Sequence, residues 1–382
     1  MKSSYLLAGL FCVATFTSCI SDEAPNAEAD IEYCVIKDKE ILKNPADTLL
    51  KATTANNRIT VRVRMGVDLT AIAPEFRLTP GATITPASGS VHDFSNDKIV
   101  EYTVTSEDKQ WQKTYRVNCN VSEMATEFHF ESFELNTENE KFYQWFEFSG
   151  SGAKQYDWAT GNPGFKIAKF SAKPMEYPTT PYSDGYLHNA VKLETLNTGG
   201  WGSMMHMRIA AGNLFMGTFD VTEAIKGSDG ALRATNFGLP FNQKPTALKG
   251  WYKFKAGEVF KDKDGNVIDG KRDVCDIYGV FYENTDADGN SIVLNGANVL
   301  TSPNIVALAR IKNVVESDEW TQFELPFDYD TYAKYVDNNK LLNYKYNLGI
   351  VFASSIDGAY FEGAEGSTLL IDEVSLVCDK IE

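Results

Sequence analysis

Long apolar runs are missing from this chain. The one near its start, Leu6 to Phe16, is shorter than the ~20 residues that cross a bilayer. Histidine is rare, and the four residues at 92, 129, 188 and 206 show no HExxH or HxH spacing. The six cysteines contain no CxxC pair, so zinc sites of the usual spacing are excluded. No G-x-S-x-G elbow, Walker loop or dinucleotide fingerprint occurs, which removes the commonest signatures of serine hydrolases and nucleotide enzymes. Basic residues are outnumbered, 36 Lys and Arg against 52 Asp and Glu, for a net charge of −16. A chain so acidic lacks the basic footprint that nucleic acid requires, and its folded body would not be drawn to anionic lipid. Neutral glycans stay compatible, because stacking and hydrogen bonds hold them rather than charge. Helical periodicity is scarce too; "DYDTYAKYVDNNKLL" reads as one short helix or a long loop.

What is present begins at the front. A basic start at Lys2, the apolar run and the small residues Thr17 and Ser18 read as an export signal over residues 1–18. "FTSC", Phe16 to Cys19, resembles a bacterial lipobox, with Phe16 where Leu is usual. The resemblance implies that Cys19 carries a lipid and becomes the new N-terminus. An ordinary signal peptide with a chance cysteine is the alternative. Residues 19–30, "CISDEAPNAEAD", form a polar, acidic tether with little to bury, expected to stay flexible. Acids just behind the lipid cysteine are similar to the surface-export signal of Bacteroidetes lipoproteins. The expected location is therefore the outer membrane, facing outward, with the lipid as the membrane contact.

Behind the tether, β-branched and aromatic runs alternate with turn signals: "ITVRVRMGV", "KTYRVNCNV", "GWYKFKAG", "DIYGVFYE", "LGIVFASS" and "STLLIDEVSLV", separated by "LTPGA", "KDKDGN" and "DADGN". Many short strands with turns between them define an all-β chain built of sandwiches. The length allows two or three domains at about 100–200 residues each, and "VSEMATEF" marks a boundary. Residues 31–122 have the size and texture of an immunoglobulin-like β-sandwich, read here as a spacer in which Trp111 and Tyr115 pack. Residues 128–382 suit a larger jelly-roll sandwich with elaborated loops. Cys34 and Cys119 fall in the first, Cys275 and Cys378 in the second. Four cysteines allow three pairings, and buried free thiols are preferred over disulfides.

In order along the second domain stand "WATGNPG", "LPFNQKPTALKGWYKFKAGE", "VCDIYGVFYEN", "NIVALARI", "DEWTQFELPFDY" and "ASSIDGAYFEGAEGSTLLIDEVSL". Together they resemble the putative carbohydrate metabolism domain family of Bacteroidetes. The first module, with "RLTPGATITPASG" and "EYTVTSEDKQWQKTYRV", is similar to the small immunoglobulin-like modules of lipoproteins from the same bacteria. The family resemblance implies a jelly roll akin to carbohydrate-binding modules and to some glycoside hydrolases. It brings no catalytic residue with it.

Glycoside hydrolysis needs a pair of carboxyl groups on either side of the bond, and no E-x-D-x-E cluster is present. Glu362 and Glu365, beside Gly363 and Gly366, read as a glycine-built loop rather than as that pair. Glu131 and Asp372 are the candidates for a structural calcium, far fewer than its six to eight oxygen ligands. The two Asp-Gly segments read as hairpin turns. A binding face is easier to assemble. In "VCDIYGVFYE" alternation puts Cys275, Ile277 and Phe281 on one side and Asp276, Tyr278 and Tyr282 on the other, the second set resembling a sugar-binding sheet face. Loops add Trp158 and Asn162, a glycine-flanked Trp201, and Ser355 and Asp357 at a strand end. Trp251 and Trp320, in regular strands, are expected to be structural. The reading is thus a surface lipoprotein that binds poly- or oligosaccharide, alongside possible glycan-utilisation partners. A glycoside hydrolase or lyase on the same fold, and a structural or adhesive surface protein, are the alternatives.

Overall fold

The computed structural model describes residues 25–379 except 43–48, 52–56, 64–67, 96–97, 122–123, 137–139, 149–153 and 287. The export signal and Cys19 lie outside the described residues. The chain divides into two units, Met1–Val121 and Ser122–Glu382.

The first unit is a small sandwich of a three-stranded and a four-stranded sheet. Strand Arg58–Val63 reads in, out, in: Ile59, Val61 and Val63 are fully buried while the intervening Thr60 and Arg62 are not. It pairs in parallel with Gln112–Val121, whose other neighbour Ile99–Thr105 is antiparallel. Part of the expected flexible tether is held against this sandwich. Ala29 is buried in its core, and the Asp30 carboxylate accepts from the Tyr115 hydroxyl at 2.7 Å. The acidic composition of residues 26–30 conceals this because one carboxylate with two fixed donors is a local feature. Tyr115 packs as expected, whereas Trp111 is 61% exposed.

The second unit is a larger sandwich. One sheet runs Thr179–Tyr182, Ala190–Glu194, Thr368–Asp379, Lys244–Lys255, Ser317–Pro326, all antiparallel. The other runs Asn213–Phe215, Tyr346–Ala353, Asp276–Glu283, Ile305–Arg310. Between them lies the main core, with Leu248, Tyr252, Phe254 and Ile371 from the first sheet facing Ile277, Phe281, Ile350 and Phe352 from the second. Odd and even positions of Lys244–Lys255 therefore part company: Leu248, Tyr252 and Phe254 go inward, and Lys249, Trp251 and Lys253 point out.

Strands Asp276–Glu283 and Tyr346–Ala353 behave differently, since seven of the eight residues in each are buried. Their outward side chains Tyr278, Val280, Tyr282 and Val351 form a second cluster with Phe215, Phe237, Leu294 and Val299. Short elements sit over that face, among them helices Asn162–Ala168, Val221–Ala224 and Ser228–Ala234. Sequence periodicity shows none of these, because each helix is too brief to repeat a 3.6-residue pattern. "DYDTYAKYVDNNKLL" yields a helix only over Asn338–Leu342. Both Asp-Gly segments are turns in which the leading aspartate, Asp262 or Asp286, accepts from backbone N–H groups two and four residues on. The four cysteines among the described residues, Cys34, Cys119, Cys275 and Cys378, are free.

Phe281→Ala removes a fully buried ring from between the sheets and is expected to cost ~3–5 kcal/mol of unfolding free energy. Trp111→Ala, on the exposed side of the first unit, is expected to cost under about 0.5 kcal/mol. Denaturant unfolding of each variant measures both.

Candidate functional site

The face expected to hold sugar is closed. Tyr282 is fully buried; its hydroxyl donates to the Phe237 carbonyl at 2.6 Å and accepts from Asn347 Nδ2 at 2.9 Å. Tyr278 is 5% exposed. Asp276 is buried and locked to Arg310, with Nε on Oδ1 at 2.9 Å and Nη2 on Oδ2 at 2.7 Å. Burial raises its pKa while the guanidinium opposes that and keeps the two as an ion pair. Alternation correctly sorted these residues onto one side of the strand, but the covering layer comes from distant segments.

The loop candidates are mostly interior as well. Trp158 is in the core, edge-on to Phe128, and its indole N–H donates to Glu147 Oε1 at 2.9 Å. Asn162 is fully buried and ties its helix to strand Thr179–Tyr182, donating to the Thr179 carbonyl and accepting from the Thr179 N–H. Ser355 belongs to a buried polar knot: its hydroxyl, that of Ser367 and the Ala364 N–H all donate to Asp273 Oδ2 at 2.6–2.8 Å. Asp357 pairs with Lys271 at 2.8 Å, and Phe361, Gly363 and Gly366 have positive φ, so the acid-rich stretch near the C-terminus is a braced loop. Trp201, 39% exposed, is the one aromatic candidate that reaches the surface. With Asp276, Tyr278 and Ser355 it lines an apolar cavity of about 340 Å³. That lining, rich in Phe and small residues, lacks the dense polar contacts a sugar needs.

A better surface lies on the outside of the other sheet. Tyr186 stacks flat on Trp251, with ring centroids 4.1 Å apart and planes at 10°, and meets Trp320 edge-on at 6.3 Å. Lys253 Nζ sits 5.2 Å from the Trp320 ring. Tyr186 is 46% exposed and both tryptophans are half-buried. Regular strands brought Trp251 and Trp320 here: they point outward, so the expectation of structural roles gives way to a surface cluster. The sequence signal was available in the in–out count of "GWYKFK", where Tyr252 and Phe254 take the inward places.

The loop bearing Tyr186 is held by the two acids considered for calcium. Asp372 Oδ2 accepts from the Leu187 N–H at 2.9 Å, and Glu131 takes the Asn189 N–H and side-chain amide at 2.9 and 2.6 Å. Burial pushes the Asp372 carboxyl up to about 6. The next residues of the same loop, Leu187 and His188, line an acidic groove of about 350 Å³ with Glu127, His129, Glu131, Glu147 and Glu373. His129 Nδ1 lies 2.9 Å from Glu373. Phe130, His188 and Glu373 all adopt left-handed backbone conformations, each costing ~1–2 kcal/mol for a residue with a Cβ. A bulge opposite Lys249–Trp251 sends Asp372 to the loop and Glu373 to the groove.

Glu147 stands out within the groove. Burial pushes its carboxyl up to about 7, against the opposing hydrogen bond from Trp158. In the unfolded chain it titrates near 4.5. Below that value both states hold the proton and no penalty arises. Between the two values the folded state alone keeps it, so stability falls as pH rises, by up to about 3 kcal/mol. Glu147→Gln keeps an acceptor for Trp158 and cannot ionise. It is expected to be as stable as the parent at pH 4.5 and more stable at pH 7.5, as read by denaturant unfolding at both.

The fold defines an all-β protein of two sandwich units. The chain belongs to the family described as Putative carbohydrate metabolism domain, which matches residues 129–377. Residues 46–119 match the family described as SGBP, N-terminal. Among solved structures, one from Bacteroides thetaiotaomicron described as a putative glycoside hydrolase is 43% identical, covering 94% of this chain and 100% of that one at a TM-score of 0.66. Another so described, from Bacteroides vulgatus, is 39% identical over 68% of this chain and 100% of its own, at 0.62. No curated protein matches the chain.

Proposed function

We propose that this is a surface lipoprotein that binds a neutral poly- or oligosaccharide on the outer face of the larger sandwich, in polysaccharide capture or utilisation. Lipid on Cys19 would anchor it to the outer membrane beside other glycan-utilisation proteins. The observation that carries the reading is the Tyr186–Trp251–Trp320 cluster. Flat aromatic faces match the apolar C–H faces of a pyranose, and Gln322 with the Lys249–Glu324 ion pair on the same sheet face supplies polar partners for hydroxyls. Asp372 and Glu131 pre-set the Tyr186 loop, which lowers the ordering cost of binding. The family and the descriptions of its solved relatives support a carbohydrate role.

A glycan array followed by calorimetry on each hit tests this. Trp320→Ala is expected to weaken binding tenfold or more, the scale of an aromatic anchor, with the fold unchanged by circular dichroism. Silence across a broad array, or hits indifferent to Trp320 and Tyr186, would overturn the reading in favour of an adhesive, protein-binding role.

One observation favours a second reading, glycoside hydrolysis. Glu147 shares the acidic groove with Glu131 and Glu373, and burial pushes its carboxyl up to about 7, which suits a general acid. Glu147 would serve in that role, with Glu131 or Glu373 as the second carboxylate. New reducing ends from a bound oligosaccharide, abolished in Glu147→Gln with affinity kept, would establish it. Binding without products leaves the first reading in place.

A further inference from the structure

The apolar cavity lies on the other sheet, away from the aromatic cluster, and is built from different residues. It sits over the doubly buried strands, where the covering helices leave about 340 Å³ among Phe165, Phe215, Phe219, Phe237, Ile225 and Val299. An apolar cavity of ~150 Å³ already accommodates benzene, so this one has room for a one- or two-ring molecule. Its buried polar groups are almost all committed. Asn213 accepts from the Gly161 N–H and donates to the Ala211 carbonyl. The Thr198 hydroxyl is held by the Met207 and Arg208 carbonyls. Thr235 is held by Leu232 and Gly296, Ser355 by Asp273 and Asp276 by Arg310.

The exception is Tyr278. It lines the cavity at 5% exposure, the Arg310 guanidinium lies 6.0 Å from its ring, and its hydroxyl makes no hydrogen bond with any described residue. That hydroxyl keeps some contact with solvent, so a ligand can reach it, whereas buried tyrosines usually find a partner within the protein. The neighbouring Tyr282, on the same face of the same strand, has two. Tyr278 therefore brings an uncommitted polar group to the lining of an aromatic-rich space.

We propose that this cavity is a second ligand site, taking a neutral aromatic group that carries one oxygen, as in a phenol or an aryl ester or ether. The ring packs edge-to-face among the phenylalanines, and the oxygen completes the Tyr278 hydroxyl. Trp201 stands at the rim. The preference for a neutral ligand follows from the lining: the one charged pair there, Asp276 with Arg310, is already self-neutralised. This inference does not depend on glycan binding at the outer sheet face.

The test uses the full mature chain and calorimetric titration with p-cresol, 2-naphthol, toluene and octanoate. Saturable binding of the two phenols at one site is expected, with Tyr278→Phe weakening p-cresol about fivefold, the worth of one neutral hydrogen bond, and leaving toluene unchanged. Ala231→Phe, which fills the cavity from helix Ser228–Ala234, is expected to abolish all binding; should it fail to fold, Tyr278→Phe alone decides. No phenol binding, phenol affinity unaltered in Tyr278→Phe, or a preference for octanoate would each overturn the proposal.

Discussion

Strands Asp276–Glu283 and Tyr346–Ala353 must be dry on both sides, and the rest of the second unit depends on that constraint. Their inward residues, Ile277, Phe281, Ile350 and Phe352, are satisfied by the opposing sheet. Their outward residues, Tyr278, Val280, Tyr282 and Val351, are as apolar in body and need a layer of their own. The short helices and strand fragments between residues 161 and 237 provide it, with Leu294 and Val299. A sandwich of two sheets thus gains a partial third layer, and the cavity is where that layer does not close completely over the sheet.

This arrangement decides which sheet face is open. A face already covered cannot also serve as an open platform, and the open aromatic surface lies on the outer face of the other sheet. There the long central strand Lys244–Lys255 turns Lys249, Trp251 and Lys253 outward while Leu248, Tyr252 and Phe254 fill the core. The bulge in Thr368–Asp379 does the remaining positioning. It separates two consecutive acids, one pinning the loop that lays Tyr186 on Trp251, the other entering the groove beside His129. One irregularity in one strand therefore links the aromatic cluster to the acidic groove.

The polar knot at Asp273 shows the same economy. A buried carboxylate with donors from Ser355, Ser367 and Ala364 joins the beginning of Asp276–Glu283 to the end of Tyr346–Ala353 and the start of Thr368–Asp379. The acid-rich loop between the last two strands is fixed at both ends by it. Its acids Glu362, part-buried, and Glu365, exposed, are carried along by that bracing and stand apart from the groove.

Much of this was legible from residue order. Period-two alternation gave the strands, Asp-Gly pairs gave the turns, and the ordered blocks carried the family. The assignment of Cys275, Ile277 and Phe281 to one side and Asp276, Tyr278 and Tyr282 to the other was also sound. What lay over each side was not encoded locally. Phe215 and Phe237, which cover Tyr278 and Tyr282, are dozens of residues upstream, and the pins of the Tyr186 loop, Glu131 and Asp372, lie 58 and 185 residues from their partners. The sequence alone determined which side chains share a face, because that depends on backbone geometry repeated every two residues. Tertiary structure alone decided which face is buried, which is open and which acid is desolvated, because each of those depends on neighbours that only folding brings near.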